Sequence, residues 1–267
     1  PMSYAEHFYM LNESNEWYEP TNIIIPENVT IIKDYSFAGY ENVDSITIHT
    51  NVEAISNSAL NYSTCIRNIY YEGSIEELLN MNDDFFYCLP WGNQNKLYLK
   101  DTNGKWYVPS EIILPNGLST LNGKTMKYFN ELKSIIIPKT VNKFENIIFS
   151  GYKYLLNVYY EGTLNDWLNI EFENDNSNPM SKASYFYLLN EDNKWEELVH
   201  AVLSGDTKEV KSQVLDGFNS IEAITLEEGI TKICNNAFNG LTKLTSIEIP
   251  TSVESIGIKS LSNSGIT

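Results

Sequence analysis

The sequence is poor in positive charge, cysteine, histidine and long apolar runs. Eighteen Lys and Arg stand against 35 Asp and Glu, which gives a formal net charge of -17 and a pI near 4.5. No stretch strings Lys or Arg together. A surface that negative repels phosphate backbones and anionic lipid heads, which excludes nucleic acid and membrane surfaces as partners. No apolar run approaches the ~20 residues of a membrane-spanning helix, so no membrane insertion is expected within this segment. The cysteines, Cys65, Cys88 and Cys234, are odd in number and lack metal-ligand or redox spacing. They read as small buried hydrophobes. His7, His49 and His200 are the only histidines, and they read as surface or packing residues. Without an HExxH, a paired-Cys motif, a P-loop, a G-x-S-x-G or a dinucleotide fingerprint, no catalytic, cofactor-binding or metal-ligating residue is assigned. The chain opens on Pro1 with neither an initiator Met nor a signal peptide, and the expectation is a trimmed segment of something longer.

What the sequence does contain is repetition. Trp17, Trp106 and Trp195 are each 89 residues apart, and the same shift carries Ile46 and Ile48 onto Ile135 and Ile137, then onto Ile224 and Leu226. Tyr70-Tyr71-Glu72-Gly73 lands on Tyr159-Tyr160-Glu161-Gly162. The chain is thus read as a single solenoid of three tandem units, 1–89, 90–178 and 179–267. Inside each unit a period of about 23 spaces short strand-like runs, for example Ile23-Ile24-Ile25, Ser45-Ile46-Thr47-Ile48 and Asn68-Ile69-Tyr70-Tyr71. Runs of three or four β-branched and aromatic residues suit a ladder in which each coil adds one strand. Alternation along a strand turns Ile46 and Ile48 inward and forces Thr47 outward.

The rest of each unit is a Trp-bearing interlude. Ser74 and Thr163 each precede an acid by three residues, Glu77 and Asp166, ahead of apolar positions, the signature of a short capped helix. A polar loop follows, clearest at Glu173–Asn178, whose Asp175 and neighbours offer oxygen ligands for calcium but lack the Gly and distal Glu of an EF-hand. Then Leu97-Tyr98-Leu99, Asn103-Gly104 and Trp106-Tyr107 predict a hairpin. Glu13–Glu16 and Glu191–Lys194 read as weaker turns at the equivalent positions. The recurrence of the three tryptophans in register favours core packing over exposed carbohydrate-stacking platforms.

Ile247-Glu248-Ile249-Pro250 followed by Val253-x-x-Ile256, together with Asn236-Ala237-Phe238-Asn239-Gly240-Leu241, resembles the BspA-like class of bacterial leucine-rich repeats. The Tyr-Tyr-Glu-Gly interlude, clearest from Tyr159 to Trp195, also looks like a feature of such proteins. The resemblance covers the whole chain. It implies an α/β repeat solenoid, a leucine-rich-repeat superhelix, with short parallel β-strands forming one face and short helices, turns and β-hairpin interludes on the other. It further implies an extracellular or cell-surface bacterial protein whose partner is a protein, such as host extracellular matrix or another cell-surface protein. Departures are local: Ser204 stands where Pro26 and Pro115 do, and Ile147-Ile148-Phe149 replaces the Ala-Phe pair.

The 23-residue register lines up one outward row per unit: Ile24, Thr47 and Tyr70; Ile113, Ile136 and Tyr159; Val202, Thr225 and Glu248. An apolar and aromatic row on a sheet face is the candidate protein-binding face. Two functions compete with such a non-catalytic adhesion module, namely a passive spacer in a larger surface protein and a glycan-acting enzyme. The enzyme falls behind, because two carboxylates in one cleft are hard to reconcile with a chain that keeps making the same place.

Overall fold

The computed structural model describes residues 9–60, 63, 65–79, 95–145, 149, 151–212 and 215–266, and only the backbone of Lys124, Thr125 and Asp175. His7, Phe8, Cys88, Ile147 and Ile148 lie outside the described residues. Internal packing divides the chain into two compact units, Pro1–Ser110 with Lys124–Asn130, and Glu111–Gly123 with Glu131–Thr267. The division follows a hairpin and not the junctions at 89 or 178, since a tandem repeat has no privileged starting residue.

The first unit opens with a hairpin of β1 (Met10–Leu11) and β2 (Trp17–Tyr18). Its ladder then runs through β3 (Asn22–Ile24), β5 (Ser45–Ile48) and β7 (Asn68–Tyr71), all parallel, with Asn22, Ser45 and Asn68 in register. Between them β4 (Ile31–Ile32) pairs in parallel with β6 (Ala54–Ile55) on the return side of the coil. After β7 comes the helix α1 (Ile75–Leu79), then β8 (Lys96–Lys100), which pairs in parallel with β7 and places Lys96 beside Asn68. β9 (Trp106–Tyr107) turns back antiparallel on β8.

The second unit repeats this order and extends it. β10 (Glu111–Ile113), β12 (Ser134–Ile137), β14 (Asn157–Tyr160) and β16 (Tyr185–Leu189) form a parallel ladder, closed by antiparallel β17 (Trp195–Glu197). A second ladder of three strands follows: β18 (His200–Leu203), β20 (Ala223–Leu226) and β22 (Ser246–Glu248). The return sides carry β11 (Thr120–Asn122), β13 (Lys143–Glu145) and β15 (Glu171–Phe172), and later β19 (Glu209–Val210), β21 (Lys232–Ile233) and β23 (Ser255–Ile256). The helix α3 (Leu164–Leu168) follows β14; α2 (Gly123–Met126) follows β11 in the chain, and from Lys124 onward it belongs to the first unit.

Two expectations are corrected. The return side is not mainly helix and turn, because it is itself a ladder of strands of two or three residues. Nor does the hairpin interlude sit opposite the parallel face. Its first strand, β8 or β16, is the fourth rung of that face, reached after 28 residues instead of 23. The antiparallel β9 or β17 then occupies the open edge, so the two five-stranded sheets end there. Backbone groups on a sheet edge need partners, and a hairpin supplies them from the same chain.

The hairpin turns are one turn made three times. Asp101 Oδ1 accepts from the amides of Asn103 and Lys105 at 2.9 and 2.8 Å. Asn12 and Asn190 accept from the equivalent amides in the other copies. The left-handed position is Gly104 in one copy, at φ 77°, and Asn15 and Asn193 in the others, at 60° and 57°. Asn tolerates that region, so the copies that read as weaker turns adopt the same geometry.

The core follows the expected alternation. Ile46, Ile48, Ile135, Ile137, Ala201, Leu203, Ala237 and Phe238 are buried, and Thr47 is half-buried. The enlarged coil is filled by aromatics: Trp167 on α3 is fully buried against Phe186, Tyr160 and Phe218, with ring centres 4.7, 5.3 and 6.0 Å apart. The first unit has Leu78 at the position of Trp167, also buried. Helices α1 and α3 carry the expected cap. Thr163 Oγ1 accepts from the Asp166 amide at 3.1 Å while Asp166 Oδ2 accepts from the Thr163 amide at 2.8 Å, and Ser74 and Glu77 do the same. Gly73 and Gly162 explain the end of Tyr-Tyr-Glu-Gly, since a Cβ there would sit 2.6 Å from the buried ring of Tyr71 or Tyr160. Burial pushes both phenols up to about 12, with Glu77 or Asp166 adding to the shift.

Polar side chains staple coils at the same offset of 23 as the strands. Glu228 accepts from the backbone amide and hydroxyl of Thr251 and from the amide of Ser252, and these bonds hold its carboxyl below the usual carboxylate value of 4.5. A carboxyl lowered in the folded state adds stability above its unfolded value, lost as pH falls through the folded one.

Trp167→Ala is expected to cost about 3–5 kcal/mol in urea unfolding, against about 1 kcal/mol for Thr163→Ala, whose loss is only a cap. Gly162→Ala is expected to cost about 1–3 kcal/mol by overpacking the Tyr160 ring. Acid unfolding of Glu228→Gln is expected to show a shallower loss of stability below pH 4.5 than the parent, and identical profiles would contradict that role.

Candidate binding face

Each outward row read from the sequence is present as a line of paired residues. In the first unit Ile24 pairs with Thr47 and Thr47 with Tyr70. The second unit pairs Ile113 with Ile136 and Ile136 with Tyr159. Its second ladder pairs Val202 with Thr225 and Thr225 with Glu248. Ile24, Ile113, Val202 and Glu248 are exposed, and the other five are half-buried. The rows therefore occupy separate sheets, each ended by its own hairpin where one follows.

The structure adds residues that the sequence reading left out of the row. Tyr98 pairs with Tyr70 and Tyr187 with Tyr159, so each aromatic row has a fourth rung. The rings stack, with centres 4.6 Å apart and planes inclined by 21° in one pair and 17° in the other. Trp106 lies edge-on to Tyr70 at 5.1 Å, and Trp195 to Tyr159 at 5.2 Å. Parallel geometry in two places 89 residues apart means that the sequence encodes the cluster twice. The signal was there in Leu97-Tyr98-Leu99, whose alternation turns Tyr98 outward once that run is recognised as a rung.

These contacts overturn the expected core role of the repeated tryptophans. Trp106 and Trp195 are half-exposed, and Trp17 in the opening hairpin is 69% exposed. The hairpin's return strand carries the indole onto the outward face, where it covers a tyrosine and leaves the core to Trp167.

Burial raises the Tyr187 hydroxyl, and Glu197, its cross-strand partner, raises it further together with Tyr159 and Tyr185. Tyr70 is raised by burial, then by Tyr98 and Asp44. In the first unit Lys100 Nζ lies 2.5 Å from Glu72 Oε1 and 4.7 Å from the centre of the Trp106 ring.

Other candidate residues behave as structural groups. His49 Nε2 lies 2.6 Å from the Pro26 carbonyl oxygen and its Nδ1 accepts from the Asn51 amide, so the ring ties a turn to the previous coil. His200 meets Thr225 Oγ1 at 3.0 Å. Cys65 and Cys234 are free and only half-buried, more exposed than expected, and Cys234 donates to Glu209 Oε1. In the Glu173–Asn178 loop, Asn174 Oδ1 accepts from the Asn176 amide and Asn178 Oδ1 from the Met180 amide, so both oxygens hold turns. Among the described residues no group of acidic, His or Cys side chains is placed to hold a metal ion. No described helix is long and apolar enough to cross a membrane.

A known sequence pattern, the BspA type leucine rich repeat region, matches residues 15–90, 108–183 and 194–267 in six copies. The chain belongs to the BspA-type leucine-rich-repeat family. Similar solved structures include a leucine rich cell surface protein from Faecalibacterium prausnitzii A2-165, at 14% identity and a TM-score of 0.43, covering 95% of this chain and 78% of that one. A leucine-rich repeat protein from Bacteroides ovatus is 14% identical with a TM-score of 0.35, over 97% and 91% of the two chains. The pneumococcal vaccine antigen PcpA is 15% identical with a TM-score of 0.38, over 87% of this chain and 61% of that one. No curated protein matches the chain.

Because Trp106 and Trp195 each hold one edge-on aromatic pair at half exposure, replacing either by Ala is expected to cost about 1–2 kcal/mol, well under the cost of Trp167→Ala. Parallel urea titrations compare the three, and equal losses would return Trp106 and Trp195 to the core.

Proposed function

We propose that this BspA-type repeat protein is a non-catalytic, cell-surface adhesion module that binds a protein on its outward ladder face. The observation that carries this is the row Ile113, Ile136, Tyr159 and Tyr187, four paired rungs of apolar and aromatic side chains that remain at least partly exposed. Large aromatic side chains that stay partly exposed are the residue type that anchors protein interfaces. Tandem duplication fits the same reading, because binding gains from copies of a surface. An extracellular-matrix protein or a protein of a neighbouring cell surface is the partner class that fits a surface repeat protein.

The test is capture of purified matrix proteins by the intact chain. Ile136→Glu with Tyr159→Glu is expected to reduce capture at least tenfold while leaving the circular dichroism spectrum unchanged, since neither side chain is in the core. Capture that survives both substitutions would remove the outward face from the binding account. Silence across the whole panel would favour the passive spacer instead.

A further inference from the structure

The two aromatic clusters match ring for ring but differ in one side chain. In the first, a cation belongs to the cluster: Lys100 on β8 stands across from Trp106 on β9 and bridges the Glu72 carboxylate and the indole. A shift of 89 carries Glu72, Lys100 and Trp106 onto Glu161, Leu189 and Trp195. Leu189 stands across from Trp195 in the same register as Lys100 across from Trp106. The carboxylate and the ring are therefore kept while the ammonium is replaced by an isobutyl group.

Nothing in the described chain supplies the missing charge. No described Lys or Arg lies within ion-pair distance of Glu161. The outward ladder strands of the second unit contain Glu111, Glu196, Glu197 and Glu248 but no Lys or Arg. Lys105 and Lys194 occupy the same place in the two hairpin turns, so they do not distinguish the copies. A half-exposed indole, two stacked tyrosines and an unpaired carboxylate attract an alkylammonium through the ring quadrupole and by direct ion pairing.

We infer that Glu161, Trp195 and the Tyr159–Tyr187 stack form an acceptor site for a lysine side chain of a partner polypeptide, which takes the place that Lys100 fills in the first unit. This rests on the outward face being the binding face. Leu189 leaves the site open and adds an apolar wall for the lysine methylenes. Lys100 closes the equivalent site with a residue of its own, so the two copies are one site in two states of occupancy.

The test follows indole N–H resonances of the intact, 15N-labelled chain, with Trp195 and Trp106 assigned through Trp195→Phe and Trp106→Phe. The probe is the peptide acetyl-Gly-Ser-Lys-Ser-Gly-amide, with its norleucine counterpart and n-butylammonium as comparisons. The lysine peptide is expected to shift Trp195 but not Trp106, with affinity at least severalfold above the norleucine peptide. Leu189→Lys is expected to weaken that response about tenfold or more, by placing a cation in the site as Lys100 does. Lys100→Leu is expected to create a new response at Trp106, and this arm does not depend on how Leu189→Lys folds. Equal shifts from the lysine and norleucine peptides, or a Trp195 response untouched by Leu189→Lys, would overturn the site. Butylammonium binding as tightly as the peptide would overturn the polypeptide source. If Ile136→Glu with Tyr159→Glu abolishes matrix-protein capture while Leu189→Lys leaves both capture and the peptide response unchanged, the binding face stands and only this site falls.

Discussion

Everything in this molecule depends on the backbone returning to hydrogen-bonding distance of itself at a fixed interval. A coil of 23 residues has strands of only two to four residues, too short to hold a sheet by themselves. On the inner rungs the strand pairs with the coil before and the coil after, and inward side chains meet their counterparts there. Ile46 lies between Ile23 and Ile69, and Ile135 between Ile112 and Val158. Because every large apolar side chain contributes about 1.5–3 kcal/mol only when covered on both sides, no coil is stable alone. Staples such as Ser45 to Asn22 and Lys232 to Glu209 repeat the offset of 23 in polar form.

The enlarged coil departs from that interval without breaking the ladder. Five extra residues between the third and fourth rungs make room for a capped helix that drives Trp167 into the space beneath β16. The chain then turns back on itself, and the antiparallel strand both ends the sheet and delivers an indole to its outward face. One insertion thus sets core volume, sheet length and surface chemistry together. It can do so because the two faces of a strand are coupled by alternation: burying Phe186 and pairing Tyr187 are consequences of the same backbone.

The coil period, the inward isoleucines, the helix caps and the register of the outward rows were all legible, because each rests on local spacing that a parallel ladder preserves. Ile24, Thr47 and Tyr70 fall in line for that reason alone. The role of the interlude was less legible. Leu97-Tyr98-Leu99 recurs at 89 but not at 23, so its membership in the ladder depends on how many residues the loop before it consumes. Trp106 and Trp195 recur as faithfully as any core residue, yet recurrence marks a conserved place in the unit and not the side of the sheet that it faces. Only the antiparallel pairing with Lys100 and Leu189 decides that. The turn residues Asn15 and Asn193 give a weaker sequence signal than Gly104 because their left-handed backbone is less common, though their side-chain-bonded turns are the same.

A surface built this way is rigid wherever its ladder is rigid, and the aromatic row inherits its geometry from the rungs beneath it. The central claim is that stacking between coils, and not any coil by itself, holds the second unit's sheet. Native-state hydrogen exchange of the amides of Ile135, Val158 and Phe186, on three successive rungs, tests it most directly. The account predicts one shared opening free energy for all three, and one shared dependence on denaturant. Rungs that open one by one, each with its own lower free energy, would contradict it.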